Sequence, residues 1–394
     1  MLTLPPLSLY IHIPWCVRKC PYCDFNSHES NSHEDALIQE KEYVAQLLRD
    51  LEHDLGFVQG RALQSIFFGG GTPSLFSGDS IKKIIVGVQE KIRFADDIEI
   101  TLEANPGTAE AEKFCEFRAA GVNRLSIGVQ SFQLHHLQAL GRIHDGAQAA
   151  QAVAMAQAAG FERINIDLMH GLPGQTVTEA LDDLQQALDL GVAHLSWYQL
   201  TIEPNTVFYR QPPALPVDEM LWDIQQAGLA LLQQQGFRQY EVSAFARDLN
   251  GKDQRCRHNL NYWQFGDYLG IGAGAHGKIT LASEDRIVRY SKTRLPRDYL
   301  KRDCLQREGH CLAEQHDLSA ADLPFEFMMN ALRLAEGVSR TLFAERIGLS
   351  FTAIEPCWRD LQDRGMVVAD EARLATTPHG FLFLNDVLAA FIQD

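Results

Sequence analysis

No stretch of this chain reaches 18 consecutive apolar residues, so no transmembrane helix is expected. The apolar segment 1–13 lacks a basic start and contains Pro5 and Pro6, so it does not read as a signal peptide. Cysteine is scarce: eight in 394 residues cannot make a disulfide scaffold. Positive charge is also short, with 35 Lys and Arg against 51 Asp and Glu and a net charge of −16. A chain so acidic is a poor nucleic-acid binder, because displacing phosphate counterions takes cations. Low-complexity tracts are absent, and 46% hydrophobic with 22% charged residues is ordinary for a globular protein. The expectation is a cytoplasmic chain of about two or three domains, or one barrel with an appendage.

The first 245 residues alternate strand and helix. Short runs rich in Ile, Leu, Val and aromatics predict strands at 7–13, 65–68, 98–103, 124–129, 163–168, 194–199 and 240–244. Helical patterns lie near 34–55, 79–92, 108–120, 146–159, 176–190 and 218–235, the last with Asp218 as N-cap candidate and Gly236 as C-cap candidate. This alternation predicts a parallel sheet, open or closed into a barrel. Residues 246–322 form a basic, glycine-rich connecting region; within it, 251–302 holds 11 Lys or Arg against 5 Asp or Glu. Such a stretch reads either as a solvated loop region or as a concave surface for an anionic ligand. Residues 323–394 read as helix, helix and hairpin, a winged-helix-like pattern. Its second helix, 353–364, is near neutral and suits a structural or protein-contacting role better than DNA reading.

The strongest chemical signal is Cys16-Val-Arg-Lys-Cys20-Pro-Tyr-Cys23, directly after the first strand. Three thiolates in one loop can hold three irons of a [4Fe–4S] cluster, leaving the fourth open to a small molecule. A structural zinc site competes; zinc wants four closed ligands, and His12 or His28 would have to supply the fourth. After the second strand, Gly69-Gly70-Gly71-Thr72-Pro73 lets backbone approach a ligand closely. Polar residues recur where later strands end: Glu103, Gln130 with Ser131, Asp167, and Tyr198 with Gln199. The C-terminal ends of parallel barrel strands are where active sites form. His258-Asn-Leu-Asn-Tyr-Trp263 places a histidine beside aromatics. His258 is a candidate heme ligand, with Cys256 and His276 as competitors. Tyr262, Trp263 and Phe265 could offer flat apolar contact, and Arg255, Arg257, Lys278, Arg289 and Arg294 could receive propionates. Cys115, Cys304, Cys311 and Cys357 belong to no motif and read as plain thiols.

CxxxCxxC with an aromatic before the last Cys resembles the radical S-adenosylmethionine superfamily. Together with Tyr10-Ile-His-Ile-Pro-Trp-Cys16, the 69–73 loop, Glu103-Ala-Asn-Pro-Gly107, Ser126-Ile-Gly-Val-Gln-Ser-Phe132, Leu140-Gly-Arg142 and Asp167-Leu-Met-His-Gly-Leu-Pro173, it resembles the oxygen-independent coproporphyrinogen dehydrogenase family over essentially the whole chain. The resemblance implies a partial (β/α)6 TIM-type barrel with a C-terminal helical domain. It implies that Cys16, Cys20 and Cys23 ligate the cluster, and that Tyr10, Gly70 and Glu103 contact S-adenosylmethionine. Residues matching Tyr22, Gly71, Thr72, Gln130, Arg142 and Asp167 meet a second S-adenosylmethionine in the dehydrogenase. Phe25 stands where the dehydrogenase has a further Cys, and the dehydrogenase's N-terminal extension has no counterpart here. His258-Asn-Leu-Asn-Tyr-Trp263 resembles the HNxxYW motif of a heme chaperone branch. That branch implies heme delivery to respiratory or heme-storage proteins, with cluster and S-adenosylmethionine serving dimerisation or transfer, and transient membrane association with membrane-bound acceptors. The rival expectation is an enzyme that oxidatively decarboxylates coproporphyrinogen III to protoporphyrinogen IX.

Overall fold

The computed structural model describes residues 2–29, 33–107, 112–301 and 311–392. Six parallel strands build the partial barrel: β1 (Leu7–Ile13), β2 (Leu63–Gly70), β3 (Phe94–Ala104), β4 (Arg124–Gln130), β5 (Arg163–His170) and β6 (His194–Gln199). The pleat sorts their side chains. In β1, Leu7, Leu9, Ile11 and Ile13 are buried in the main apolar core, which also holds Ile81, Ile84 and Val88 of α2 (Gly78–Lys91). The alternate residues Ser8, Tyr10 and His12 hydrogen-bond inside the barrel. Helix α1 (His33–His53) precedes β2, and α3 (Phe114–Ala120) precedes β4. Reciprocal capping boxes start α4 (Gly146–Ala158), from Asp145 and Gln148, and α5 (Val177–Asp189), from Thr176 and Glu179. Helix α6 (Asp218–Gln234) is entered from Val217 without a side-chain cap, so Asp218 is its first residue rather than its cap.

The predicted strand at 240–244 is instead two short antiparallel strands, β7 (Arg238–Glu241) and β8 (Ala244–Ala246). The chain turns back at Val242-Ser243 so that Ala244 pairs with Ser196 of β6. The basic stretch is not a loop region. It forms α7 (Arg257–Trp263), β9 (Asp267–Ile271), β10 (His276–Leu281) and β11 (Arg286–Lys292), followed by β12 (Leu312–Asp317). Strand β9 lies parallel beside β1, and β10, β11 and β12 add antiparallel. One sheet of twelve strands results, in the order β12-β11-β10-β9-β1-β2-β3-β4-β5-β6-β8-β7. The sequence boundary at 245/246 thus falls within a continuous sheet.

Five cations of this stretch are matched by carboxylates. Lys292 Nζ lies 2.7 Å from both Asp50 and Asp54, all three side chains fully buried. Lys278 pairs with Asp267, Arg257 with Asp97, Arg255 with Asp253 and Arg289 with Glu326. Cys311 is disulfide-bonded, not a plain thiol; Cys304 lies outside the described residues.

The C-terminal unit packs α8 (Leu323–Ala331), α9 (Arg340–Ile347) and α10 (Glu355–Asp363) around Phe327, Phe343, Trp358 and Leu361. Its wing is smaller than the sequence pattern suggests. Val367 bridges Thr376, while Arg373–Leu374 pairs with Val338–Ser339. Phe265, Ile287 and Leu2 join the same core and tie the unit to the sheet.

Candidate functional site

The cysteine loop leaves β1 at the C-terminal mouth of the barrel. Two residues of extended chain close it, Trp15 pairing with His28 and Cys16 with Glu29. Glu29 accepts a hydrogen bond from the Lys19 backbone N–H, and Lys19 Nζ donates to Phe25 O. Asn26 anchors the loop, its amide donating to Ala273 O and Arg294 O at 2.9 Å each. His12 spends its ring nitrogens on Tyr10 Oη and Asn26 O, and His28 reaches Asn26 Oδ1. Both histidines of the zinc reading are therefore committed elsewhere, and neither lines the cavity described next.

That cavity, of about 380 Å³, is lined by Cys16, Cys20, Cys23, Tyr22, Gly70, Gly71, Thr72, Glu103, Gln130, Arg142 and Asp167. Eleven of the thirteen residues singled out from sequence meet here, drawn from the first loop and the ends of β2 to β5. Gly70 has φ +116°, and a Cβ on it would sit 2.7 Å from the His12 ring; one on Gly71 would sit 2.5 Å from Trp15 O. Only glycine lets this turn pass so close beneath the cysteine loop. Thr72 Oγ1 donates toward Cys16 Sγ at 3.5 Å, and Arg142 toward Cys20 Sγ at 3.8 Å. Burial pushes the Cys16 and Cys23 thiols up. Bound metal would have to offset that by deprotonating them.

Opposite the sulfurs stand two carboxyl groups. Asp167 accepts from Ser126 at 3.0 Å and Asn165 at 2.8 Å. Among the described residues Glu103 accepts only the Gly70 N–H, at 3.3 Å. Burial, aided by the Asp167 charge, pushes Glu103 up to about 8. No Lys or Arg forms an ion pair with either among the described residues, so the pair is set for a cationic ligand. Three converging sulfurs, a glycine cradle and a cation-seeking carboxyl pair fit a three-cysteine cluster carrying S-adenosylmethionine. A measurable consequence follows from linkage. If Glu103 is the group that meets this cation, binding requires it ionised, and affinity for S-adenosylmethionine should fall by up to about tenfold per pH unit below about 8. Anaerobic calorimetry of cluster-loaded protein checks this, with Glu103→Gln separating the residue from the ligand's own amine; an unchanged pH slope in the variant would remove Glu103 from the role.

Two expected residues lie elsewhere. Tyr10 does not line the cavity; its hydroxyl bonds His12 Nδ1 at 3.0 Å, beside Gly69. His258 lies in the barrel floor, 4% exposed, its Nδ1 3.0 Å from Ser65 Oγ and its ring 5.0 Å from Phe67. The aromatics around it are packed as well: Tyr262 stacks on Tyr268, Phe265 meets Phe327 at a tilt, and Trp263 lies under Arg333. Helix α7 is thus a wedge between the barrel floor and the C-terminal unit. Cys256 is buried against Glu99 and Asn259, with its thiol pushed up to about 12; His276 is exposed on β10. Sequence reasoning did not single out Asn105, which bridges Thr72 Oγ1 at 3.0 Å and Arg142 at 2.7 Å. Its place two residues after Glu103, at a strand end, was the available signal.

The Radical SAM superfamily model matches residues 10–187, and the HemN C-terminal domain model matches 318–383. The chain is 49% identical over 394 residues to the heme chaperone HemW of Escherichia coli, covering 100% of both chains. To the heme chaperone HemW of Haemophilus influenzae it is 50% identical, covering 99% of each. In solved structures it resembles the coproporphyrinogen III oxidase HemN of Escherichia coli, with a TM-score of 0.80 at 24% identity, covering 99% of this chain and 91% of that one. That likeness carries the fold. The identity with relatives from end to end, joined to the three-cysteine cavity, establishes that the chain belongs to the HemW family of radical S-adenosylmethionine proteins.

Proposed function

We propose that the chain is a heme chaperone, which binds heme and passes it to acceptor haemoproteins. The observation that carries this is identity of about half, end to end, with proteins named heme chaperones. The rival enzyme reading rests on a likeness that reaches only the fold.

Cys16, Cys20 and Cys23 would hold the cluster, and Glu103, Asp167 and the Gly70-Gly71 backbone would hold S-adenosylmethionine. The bound pair supplies one-electron chemistry or, in a chaperone, a folded state competent for dimerisation or transfer. The chain's own residues shape that site: Thr72 and Arg142 support sulfurs, and Glu103 changes protonation when a cation arrives. Respiratory or heme-storage acceptors, a homodimer and transient membrane contact complete the proposal. No helix of the described residues is long and apolar enough to cross a membrane.

His258 is assigned as the heme ligand. Burial pushes its imidazole down to about 4, so it is neutral, as a metal ligand must be. Its Nε2 has no hydrogen-bond partner, while Nδ1 is bonded to Ser65. That is how a metal-binding histidine is oriented by an outer partner. The ring is enclosed by Tyr10, Phe67 and Tyr262, so ligation requires α7 to withdraw from the barrel floor. Heme titrated into anaerobically reconstituted protein, followed at the Soret band, tests both claims. About one heme per chain is expected for wild type. Binding should weaken in His258→Ala and in His258→Gln, the second keeping a polar group near Ser65. Binding indifferent to both variants would move the heme elsewhere; no saturable binding at all would overturn the chaperone and return coproporphyrinogen turnover to the front.

A further inference from the structure

A second cluster of donor atoms lies away from the cysteine cavity. His135 and His136 are on the short helix Leu134–Ala139 that follows β4, and Glu179 is in the first turn of α5. His135 Nε2 is 3.2 Å from Glu179 Oε1, and His136 Nε2 is 3.7 Å from Glu179 Oε2. One ligand atom from each residue lies within 4.8 Å of the other two. Ligand atoms about 2.0–2.1 Å from a tetrahedral ion stand about 3.3–3.4 Å apart; the two distances here run to different Glu179 oxygens, so a small side-chain shift would gather the three donors round one ion. None of the three residues lines the cysteine cavity.

His136 makes this more than a surface ion pair. Its side chain is 1% exposed, and neither ring nitrogen has a hydrogen-bond partner. A buried imidazole with two orphaned nitrogens is costly, and a native structure that keeps one needs a reason. His135 is 59% exposed, so an ion can reach the group from solvent. Glu179 Oε2 already accepts from the Thr176 N–H and hydroxyl, which orients the carboxylate. Oε1 accepts neither of those bonds and faces His135. Burial and the neighbouring His135 push His136 down, while the Thr176 hydrogen bonds hold Glu179 below the usual carboxylate range. Two imidazoles and one carboxylate are the donors that suit divalent first-row transition ions rather than Ca²⁺ or Mg²⁺.

We propose that His135, His136 and Glu179 form a binding site for a divalent first-row transition ion, with a fourth position open to water. This site does not depend on the heme chaperone reading. The ion would fasten the segment between Gln130 and Arg142 to the start of α5, two parts of the barrel mouth otherwise held together there by Asp183. That carboxylate accepts from Ser131 Oγ and the Phe132 N–H at 2.7 Å each.

Cobalt(II) is the probe, titrated into cluster-loaded protein so that the three cysteines are already committed. Wild type should take about one equivalent, with visible d–d bands and no sulfur-to-metal charge transfer. His135→Ala alters an exposed side chain, and Glu179→Gln keeps a residue able to complete the capping box. Both variants should fold, melt like wild type without metal, and bind cobalt at least about tenfold more weakly. Loss of a direct ligand should cost no less than loss of an outer partner. Cobalt should raise the melting temperature of wild type and not of the variants. Equal affinity in wild type and both variants, or a sulfur charge-transfer band on the bound cobalt, would overturn the site.

Discussion

Cys20→Ser will leave the chain without its cluster. Anaerobic reconstitution should load about four irons per wild-type chain and close to none in the variant. Three thiolates are the least a site-differentiated cluster can use, and the cavity contains only Cys16, Cys20 and Cys23. Among the described residues no other cysteine lines the cavity to replace Cys20. Cys256 is buried in the barrel floor with its sulfur directed to Glu99 and Asn259. Cys256→Ser should therefore keep the full iron load and the visible absorption of the cluster. If Cys20→Ser kept its iron while Cys256→Ser lost it, the assignment of the metal loop would fall. The same comparison separates a cluster from zinc, which would give no visible absorption.

Lys292→Met will destabilise the protein by about 3–5 kcal/mol, the range for removing one partner of a buried ionic group. The Lys292 ammonium meets Asp50 and Asp54 where all three side chains are fully buried. Methionine fills much of the space but leaves two carboxylates without their cation. Burial already holds the Asp50 carboxyl above its ordinary range, with Lys292 as the main opposing influence. Without that cation the folded-state pKa rises further above the unfolded value. Such a group favours folding at low pH and opposes it as pH rises. The variant should therefore regain stability as pH falls toward about 4 and lose it toward neutrality. Thermal melts across that range check the sign. Wild type should show a smaller change over that range, since its Asp50 is raised less, and a further decline at high pH as Lys292, whose folded pKa is raised, loses its proton. The defect should reach the cluster. Asp50 also accepts from the Gly272 N–H, and the following turn holds Asn26 through Ala273 O. Faster loss of iron from Lys292→Met than from wild type is the expected second readout.

The six barrel strands were legible because parallel strands buried on both faces read as apolar runs, and their polar interruptions mark the ends nearest the cavity. The antiparallel return at Val242-Ser243 was not, since its direction is set by pairing with Ser196, far away in sequence. Lys278 read as a propionate candidate, and Lys292 as one more charge of the basic stretch, because their partners sit on other elements; Lys292 is 242 residues from Asp50. A run of basic residues cannot disclose that acids elsewhere neutralise it. The cavity residues were legible because loop motifs fix both chemistry and place. Tyr10 and His258 show the limit. Their motifs were visible, but only the three-dimensional packing turns one hydroxyl to His12 and encloses the other ring beneath it.

Strand β1 has parallel partners on both sides, yet one of them, β9, is encoded more than 250 residues later. During synthesis, Leu7–Ile13 must wait with an unpaired edge until Asp267–Ile271 has emerged. Unpaired edges of apolar strands invite association with other chains, and long-range parallel pairing is slow to form. A nascent chain halted near residue 245 would hold the mouth of the barrel and all three cysteines while its first strand remained open to neighbours. Chaperone dependence in the cell should be greatest over that interval and should fall sharply once β9 to β11 close the seam.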